Sequence, residues 1–148
     1  MKNIIYRIYA VLISVFVLAG CLSEQKEMER NLSEVVGVWH YSGTEAGVPV
    51  DVYLDFSQKS TFDMYLLVGT GSYKHYQGTF SVDAEMNISG VYASGYDWAR
   101  VYVAKRAGST LTLSCDGSTW AYEKSASVPK EVKDHSVLTK TLKEEYFF

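Results

Sequence analysis

The chain has 148 residues, with 14 basic and 17 acidic side chains and a formal net charge of −3. That length suits one domain, and the acidic balance excludes electrostatic attachment to nucleic acid or to anionic lipid. Two cysteines are too few for a zinc site of the cysteine type.

Lys2 and Arg7 flank the start of an apolar run from Ile8 to Val17, which closes on Leu18-Ala19-Gly20-Cys21. A basic start, a short apolar stretch and small residues at its end form the pattern of a secretory signal. The run falls short of the ~20 residues that a bilayer-spanning helix needs. The four closing residues resemble the lipobox of bacterial lipoproteins. The resemblance implies that residues 1–20 are a signal peptide, cut just before Cys21. It also implies that Cys21 carries a diacylglycerol and acyl chains such as palmitate, and that the protein sits in the cell envelope at the outer membrane. The alternative is a plain membrane anchor, or a secreted protein with a cysteine there by chance.

Loss of residues 1–20 leaves 128 residues with 12 basic and 17 acidic side chains, a net charge of −5. Attachment must then come from the lipid, at about 0.8 kcal/mol per buried methylene. With Cys21 acylated, Cys115 stands alone and no internal disulfide forms. Stability has to come from a core.

Residues 21–33 are polar and read as a tether, with Met28 and Leu32 four apart. That spacing allows a turn or two of helix covering one end of the domain. Glu24, Lys26 and Glu27 are either a solvated linker or, as in some bacterial phyla, a signal for export to the outer face of the outer membrane.

After Ser33 the apolar period becomes two. Val50, Val52, Leu54 and Phe56 alternate with polar residues, as do Phe62, Met64, Leu66 and Val68, and then Tyr76, Phe80 and Val82. Strict alternation predicts antiparallel strands with one buried face. Eight runs follow, at 36–43, 48–56, 60–68, 72–82, 86–93, 97–105, 109–115 and 118–124. Short turn segments join them, such as Gly69-Thr70-Gly71, Asp83-Ala84-Glu85 and Asp116-Gly117. An open meander would leave two edges exposed to aggregation. Eight strands close naturally, so residues 34–127 are expected to form an all-β, eight-stranded antiparallel up-and-down barrel. A two-sheet sandwich is the competitor. Residues 128–148 form a C-terminal tail, either a short amphipathic helix (Leu138, Leu142 and Tyr146 are four apart) or a loose end.

Gly37-Val38-Trp39 at the first strand resembles the Gly-X-Trp signature of lipocalins and related calycin barrels. The texture continues in Val52-Tyr53-Leu54-Asp55-Phe56, Ser60-Thr61-Phe62, Tyr76-Gln77-Gly78-Thr79-Phe80, Asp97-Trp98-Ala99 and Leu111-Thr112-Leu113. Over residues 36–124 the chain is similar to the lipocalin-like domains of small Bacteroidetes lipoproteins. Lipocalins also set a basic residue near the end of the last strand over the tryptophan, and Lys124 matches. Apart from any family, a tryptophan beside a glycine at the start of a barrel can close its base. Gly37 and Trp39 are therefore read as structural.

No pattern of catalysis emerges. His40, His75 and His135 have no ligand spacing, and His40 should face outward beside the inward Trp39. Asp51, Asp55, Asp63, Asp83, Asp97 and Asp116 lie on strand exteriors and in turns, with no converging pair. There is no nucleophile elbow and no phosphate-cradling loop. Cys115 reads as a strand-end residue. The expectation is a protein with no catalytic residues, no metal and no cofactor. If the apolar face is the interior, Phe62, Met64, Tyr76, Phe80, Tyr92 and Trp98 line either a ligand cavity or a filled core. Tyr53, Tyr65, Tyr73 and Trp120 are expected on outer faces or rims. The leading expectation is a lipid-anchored barrel that binds a small apolar or amphipathic ligand. The alternative is a filled-core accessory or interaction subunit of an envelope or surface complex, with a protein partner and no nucleic acid.

Overall fold

The computed structural model describes residues 22–139. Residues 1–21, on which the expected signal segment and the expected lipid-attachment residue Cys21 fall, and residues 140–148 lie outside the described residues.

Helix α1 spans residues 22–35. Eight strands follow: β1 Gly37–Glu45, β2 Val48–Phe56, β3 Thr61–Val68, β4 Lys74–Val82, β5 Asn87–Tyr92, β6 Tyr102–Ala107, β7 Thr110–Cys115 and β8 Ser118–Ser125. Each pairs antiparallel with its chain neighbour, and β8 pairs back onto β1, so the sheet closes into an eight-stranded up-and-down barrel. Closure satisfies every strand edge, which an open meander cannot do. The β7–β8 turn is the two-residue Asp116-Gly117, with φ of 48° and 80°. Positive φ at both positions is what a tight hairpin with the native twist requires.

The expected turn or two of helix covering one end is present, and the helix extends through the segment read as tether. Glu24-Gln25-Lys26-Glu27-Met28-Glu29-Arg30 are all good helix formers, and Arg30 pairs with Glu27 at 2.6 Å. Residues 22–30 are exposed, while Asn31, Leu32 and Val35 turn to the barrel. Nine exposed residues extend about 14 Å as helix. Asn31 donates from Nδ2 to the carbonyls of Asp83 and Ala84 at 2.9 and 3.0 Å, fixing the helix over the end where β1 starts and β4 ends. That end is called the base below, and the opposite end the mouth.

Trp39 closes the base and is fully buried. Its Nε1 donates to the carbonyl of Val35 at 2.7 Å. Two cations lie over its ring: Lys124 Nζ and Arg106 Cζ, each 5.6 Å from the centroid. Arg106 stands on β6, far in sequence from the last strand, so the Gly-X-Trp texture gave no pointer to it. It also reaches Glu34 of α1 at 3.9 Å, joining helix, tryptophan and sheet.

The sixth strand starts at Tyr102, not at residue 97. Only two residue pairs join β5 to β6, Asn87 with Val103 and Ile88 with Tyr102. Beyond them the free edge of β5 is satisfied by the loop 93–101. There the Tyr92 N–H donates to the Tyr96 carbonyl, and the Trp98 N–H to the Gly90 carbonyl, both at 2.8 Å. The segment keeps one antiparallel bridge, Asp97 with Val91, and the Trp98 indole lies against Gly90, where a Cβ would fall 2.3 Å from Trp98 Cε2.

The tail folds back on the barrel wall as helix α2 Lys130–Asp134 and strand β9 Val137–Leu138, the latter parallel to the start of β4. Of the two expectations from Val137 onward, a short helix or a loose end, the described part shows neither and forms this short strand. It takes the hydrogen-bonding edge of β4 that β5 has left.

Candidate functional site

Two clusters bring together residues that carry chemistry. One lies on the outer wall. His40, Tyr53, Tyr65 and His75 occupy one register row across β1 to β4. His40 stacks on Tyr53 (4.2 Å, 16°) and His75 on Tyr65 (4.4 Å, 4°). Each imidazole is tied by Nε2 to a carboxylate, His40 to Asp51 at 2.7 Å and His75 to Asp63 at 2.6 Å. The Tyr73 hydroxyl donates to the other oxygen of Asp51. Burial, that bond and the carboxylate's charge push the Tyr73 hydroxyl well up from its ordinary pKa. Burial and the neighbouring Asp63 also raise Asp55, against the opposing effect of Lys133.

Val128 and Val132 of the tail bury against Tyr65, with Tyr53 and Tyr73 at their side. The Nε2 atoms of both imidazoles and the Tyr73 hydroxyl are committed to the carboxylates. This cluster is the seat that fastens the tail to the wall. Among the described residues, no group of three or more His, Cys, Asp or Glu side chains is placed to hold a metal ion.

The second cluster is inside. Side chains of the base half are mostly apolar: Phe56, Phe62, Phe80, Val82, Ile88, Ala104 and Leu111, around Trp39. The mouth half mixes the aliphatic Val50, Val52, Leu66 and Leu113 with aromatic residues. Tyr41 stands in the upper part of β1, Tyr76 near the start of β4 and Tyr92 at the end of β5. Tyr102 begins β6, and Trp120 lies near the start of β8. Tyr92 meets Tyr76 at 6.1 Å and Phe62 at 5.9 Å, and Phe62 meets Trp98 at 5.0 Å. Tyr102 lies 6.1 Å from Trp120, and Tyr41 5.5 Å from Tyr122.

The six predicted lining residues thus point inward as expected, but they divide by depth. Phe80 packs on Phe56 at 4.7 Å in the base. Met64, fully buried, lies between base and mouth, on the register row that runs from Trp39 through Leu54 to Tyr76. Tyr76, Tyr92 and Trp98 belong to the mouth, and Phe62 bridges the two layers. Trp120, expected on an outer face or rim, is buried and points inward. The alternation of Trp120 and Tyr122 with Ala121 and Glu123 sets that face, and reading from the sequence end of the strand obscured it.

Glu45 is the residue the sequence reading missed. It closes β1 on the inward parity of Trp39, Tyr41 and Gly43. Its Oε1 accepts from the Tyr41 hydroxyl at 2.8 Å and from Trp120 Nε1 at 3.0 Å. Burial, the bond to Glu45 and its charge push the Tyr41 hydroxyl up to about 12. Deeper in, burial followed by the Tyr102, Tyr41 and Glu45 charges pushes Tyr122 well up. A carboxylate facing into a barrel was legible only from strict parity over nine residues of β1, which Ser42-Gly43-Thr44 blurs.

The Tyr92 hydroxyl is buried and has no hydrogen-bond partner among the described residues. Such a group costs about 1–3 kcal/mol when left unsatisfied. Burial and the nearby Tyr76 drive it far from ionisation. No family model, curated protein or solved structure matches this chain.

Proposed function

We propose that this is a lipid-anchored envelope protein of lipocalin-like type whose barrel mouth binds a small amphipathic molecule. The carrying observation is the buried Tyr92 hydroxyl, which has no hydrogen-bond partner among the described residues and sits in a ring cluster with Tyr76, Phe62 and Trp98. A purely structural core would place apolar residues there at no polar cost. A bound molecule with a polar group would supply the missing partner, while the rings hold its apolar part. No nucleic-acid partner, cofactor or catalysis belongs to this reading. The cation pair over Trp39 favours the lipocalin-like resemblance.

The anchor reading rests on Leu18-Ala19-Gly20-Cys21. Because residues 22–35 are helical, a lipid on Cys21 would adjoin a helix that holds the barrel base toward the bilayer and the mouth away from it. Cys21→Ser is expected to abolish acyl labelling and release the protein from membranes. A mutant that stays membrane-bound would sink the anchor. Native mass spectrometry of the detergent-extracted protein is expected to find a small copurifying amphiphile, and a bare mass in every preparation counts against the ligand.

One observation favours the second reading, a non-enzymatic accessory subunit. Val91, Tyr96, Val101 and Val103 are exposed on the β5–β6 wall. Beside them lies a cleft of about 410 Å³, lined in part by Phe80, Gly90, Trp98 and Arg100. Clustered exposed apolar side chains often mark a protein contact. Under that reading, crosslinking in membranes traps an envelope protein against this wall.

A further inference from the structure

The barrel carries two aromatic clusters, and they are balanced in opposite ways. At the base the Trp39 ring is covered by the chain's own cations, Arg106 and Lys124. At the mouth Tyr41 and Trp120 bond a carboxylate instead, with Tyr122 packed on Tyr41 and Tyr102 on Trp120. Among the described residues no Lys, Arg or His stands within ion-pair distance of Glu45. Arg100, at the same end of the barrel, is turned to Asp116 (3.7 Å) and to Cys115 Sγ (3.9 Å). The two donors on Glu45 are neutral and both use Oε1, so Oε2 is left without a bond from any described residue. A half-buried carboxylate with one oxygen unclaimed and no cation of the chain beside it is the chemistry that pairs with an organic ammonium.

We infer that the mouth selects a cationic head, an ammonium group on an apolar tail, with its charge on Glu45 Oε2 and its tail directed down to Tyr76, Tyr92 and Trp98. The inference rests on the mouth-binding reading and adds the class of ligand to it. Both a free alkylamine and the headgroup of an aminolipid offer this chemistry.

The test titrates the whole chain with hexylammonium, hexanoate and hexanol, three probes with one tail length, and follows binding by calorimetry. Hexylammonium is expected to bind most tightly and hexanoate least. Glu45→Gln is expected to weaken hexylammonium by about tenfold or more and to leave hexanol unchanged. Glu45→Asp, which keeps the charge, should keep the preference, and circular dichroism of both variants checks the fold. Equal binding of all three probes would leave the mouth reading standing and overturn the cationic inference. So would an intact ammonium preference in Glu45→Gln. If none of the three binds, the mouth reading itself fails. Competition by phosphatidylethanolamine vesicles, but not by phosphatidylglycerol vesicles, would assign the site to an aminolipid head. Absence of competition, with hexylammonium bound, would assign it to a free amine.

Discussion

Trp39→Ala is expected to lower the melting temperature by about 10–20 °C, the largest effect of any single truncation in this barrel. Removing a fully buried tryptophan ring costs about 3–5 kcal/mol through lost transfer energy and the cavity left behind. Here the loss extends further. The Val35 carbonyl loses the indole donor that closes α1 onto β1. Arg106 and Lys124 lose the ring they share, and Arg106 is the link to Glu34. Trp39→Phe separates these contributions. It keeps most of the volume but lacks the N–H donor, so it should cost about 1–2 kcal/mol. Thermal melts followed by far-ultraviolet circular dichroism decide the matter. A Trp39→Ala melt within a few degrees of wild type would mean that the base is not closed by this ring.

Gly78→Ala is the second large effect, and it arises from addition rather than removal. A Cβ on Gly78 would fall 2.0 Å from the Val91 carbonyl oxygen and 2.9 Å from both Tyr92 Cα and the Phe62 ring. The oxygen belongs to the backbone of β5, which is paired to β4 through Gly78–Tyr92 and Thr79–Val91. It cannot retreat without opening that ladder. β5 has little to spare, since only two residue pairs hold its other edge to β6. Overpacking of this kind costs about 3 kcal/mol or more, and here it falls on a strand whose other edge is joined to β6 by only two pairs. Native-state hydrogen exchange should show β5 amides losing protection before those of β1 to β3. Uniform loss across the sheet would argue against a localised seam.

The period-two alternation between Val50 and Val82 carried the strand count and the inward faces, because each inward side chain is buried by the opposite wall. Closure followed from the number of strands and the shortness of their connections. The regions that sequence reading placed wrongly are those where tertiary contacts override local pattern. Residues 97–101 alternate well enough to pass as strand, yet the segment keeps one bridge, Asp97 with Val91, while Trp98 lies against the bare surface of Gly90. Residues 22–30 are polar enough to pass as a tether, but their helix propensity and the Asn31 contacts with the β4–β5 turn order them. The predicted lining residues Tyr76, Tyr92 and Trp98 do meet inside. Glu45 was out of reach because its partners lie at 41 and 120, and only closure of β8 onto β1 brings Trp120 to it. The outer His–Asp pairs were hidden for the same reason, since cross-strand register and not sequence spacing sets them together.

The chain holds three tryptophans, which report on three depths of one barrel. Trp39 closes the base, Trp98 borders the mouth layer from the β5–β6 loop, and Trp120 donates to Glu45 at the mouth. Titrating the ¹⁵N-labelled protein with hexylammonium and following the three indole N–H signals tests mouth binding most directly. The Trp120 signal is predicted to move saturably, with Trp98 following and Trp39 unchanged. Movement of Trp39 alone, or three signals that stay fixed at saturating probe, would contradict a binding site in the mouth.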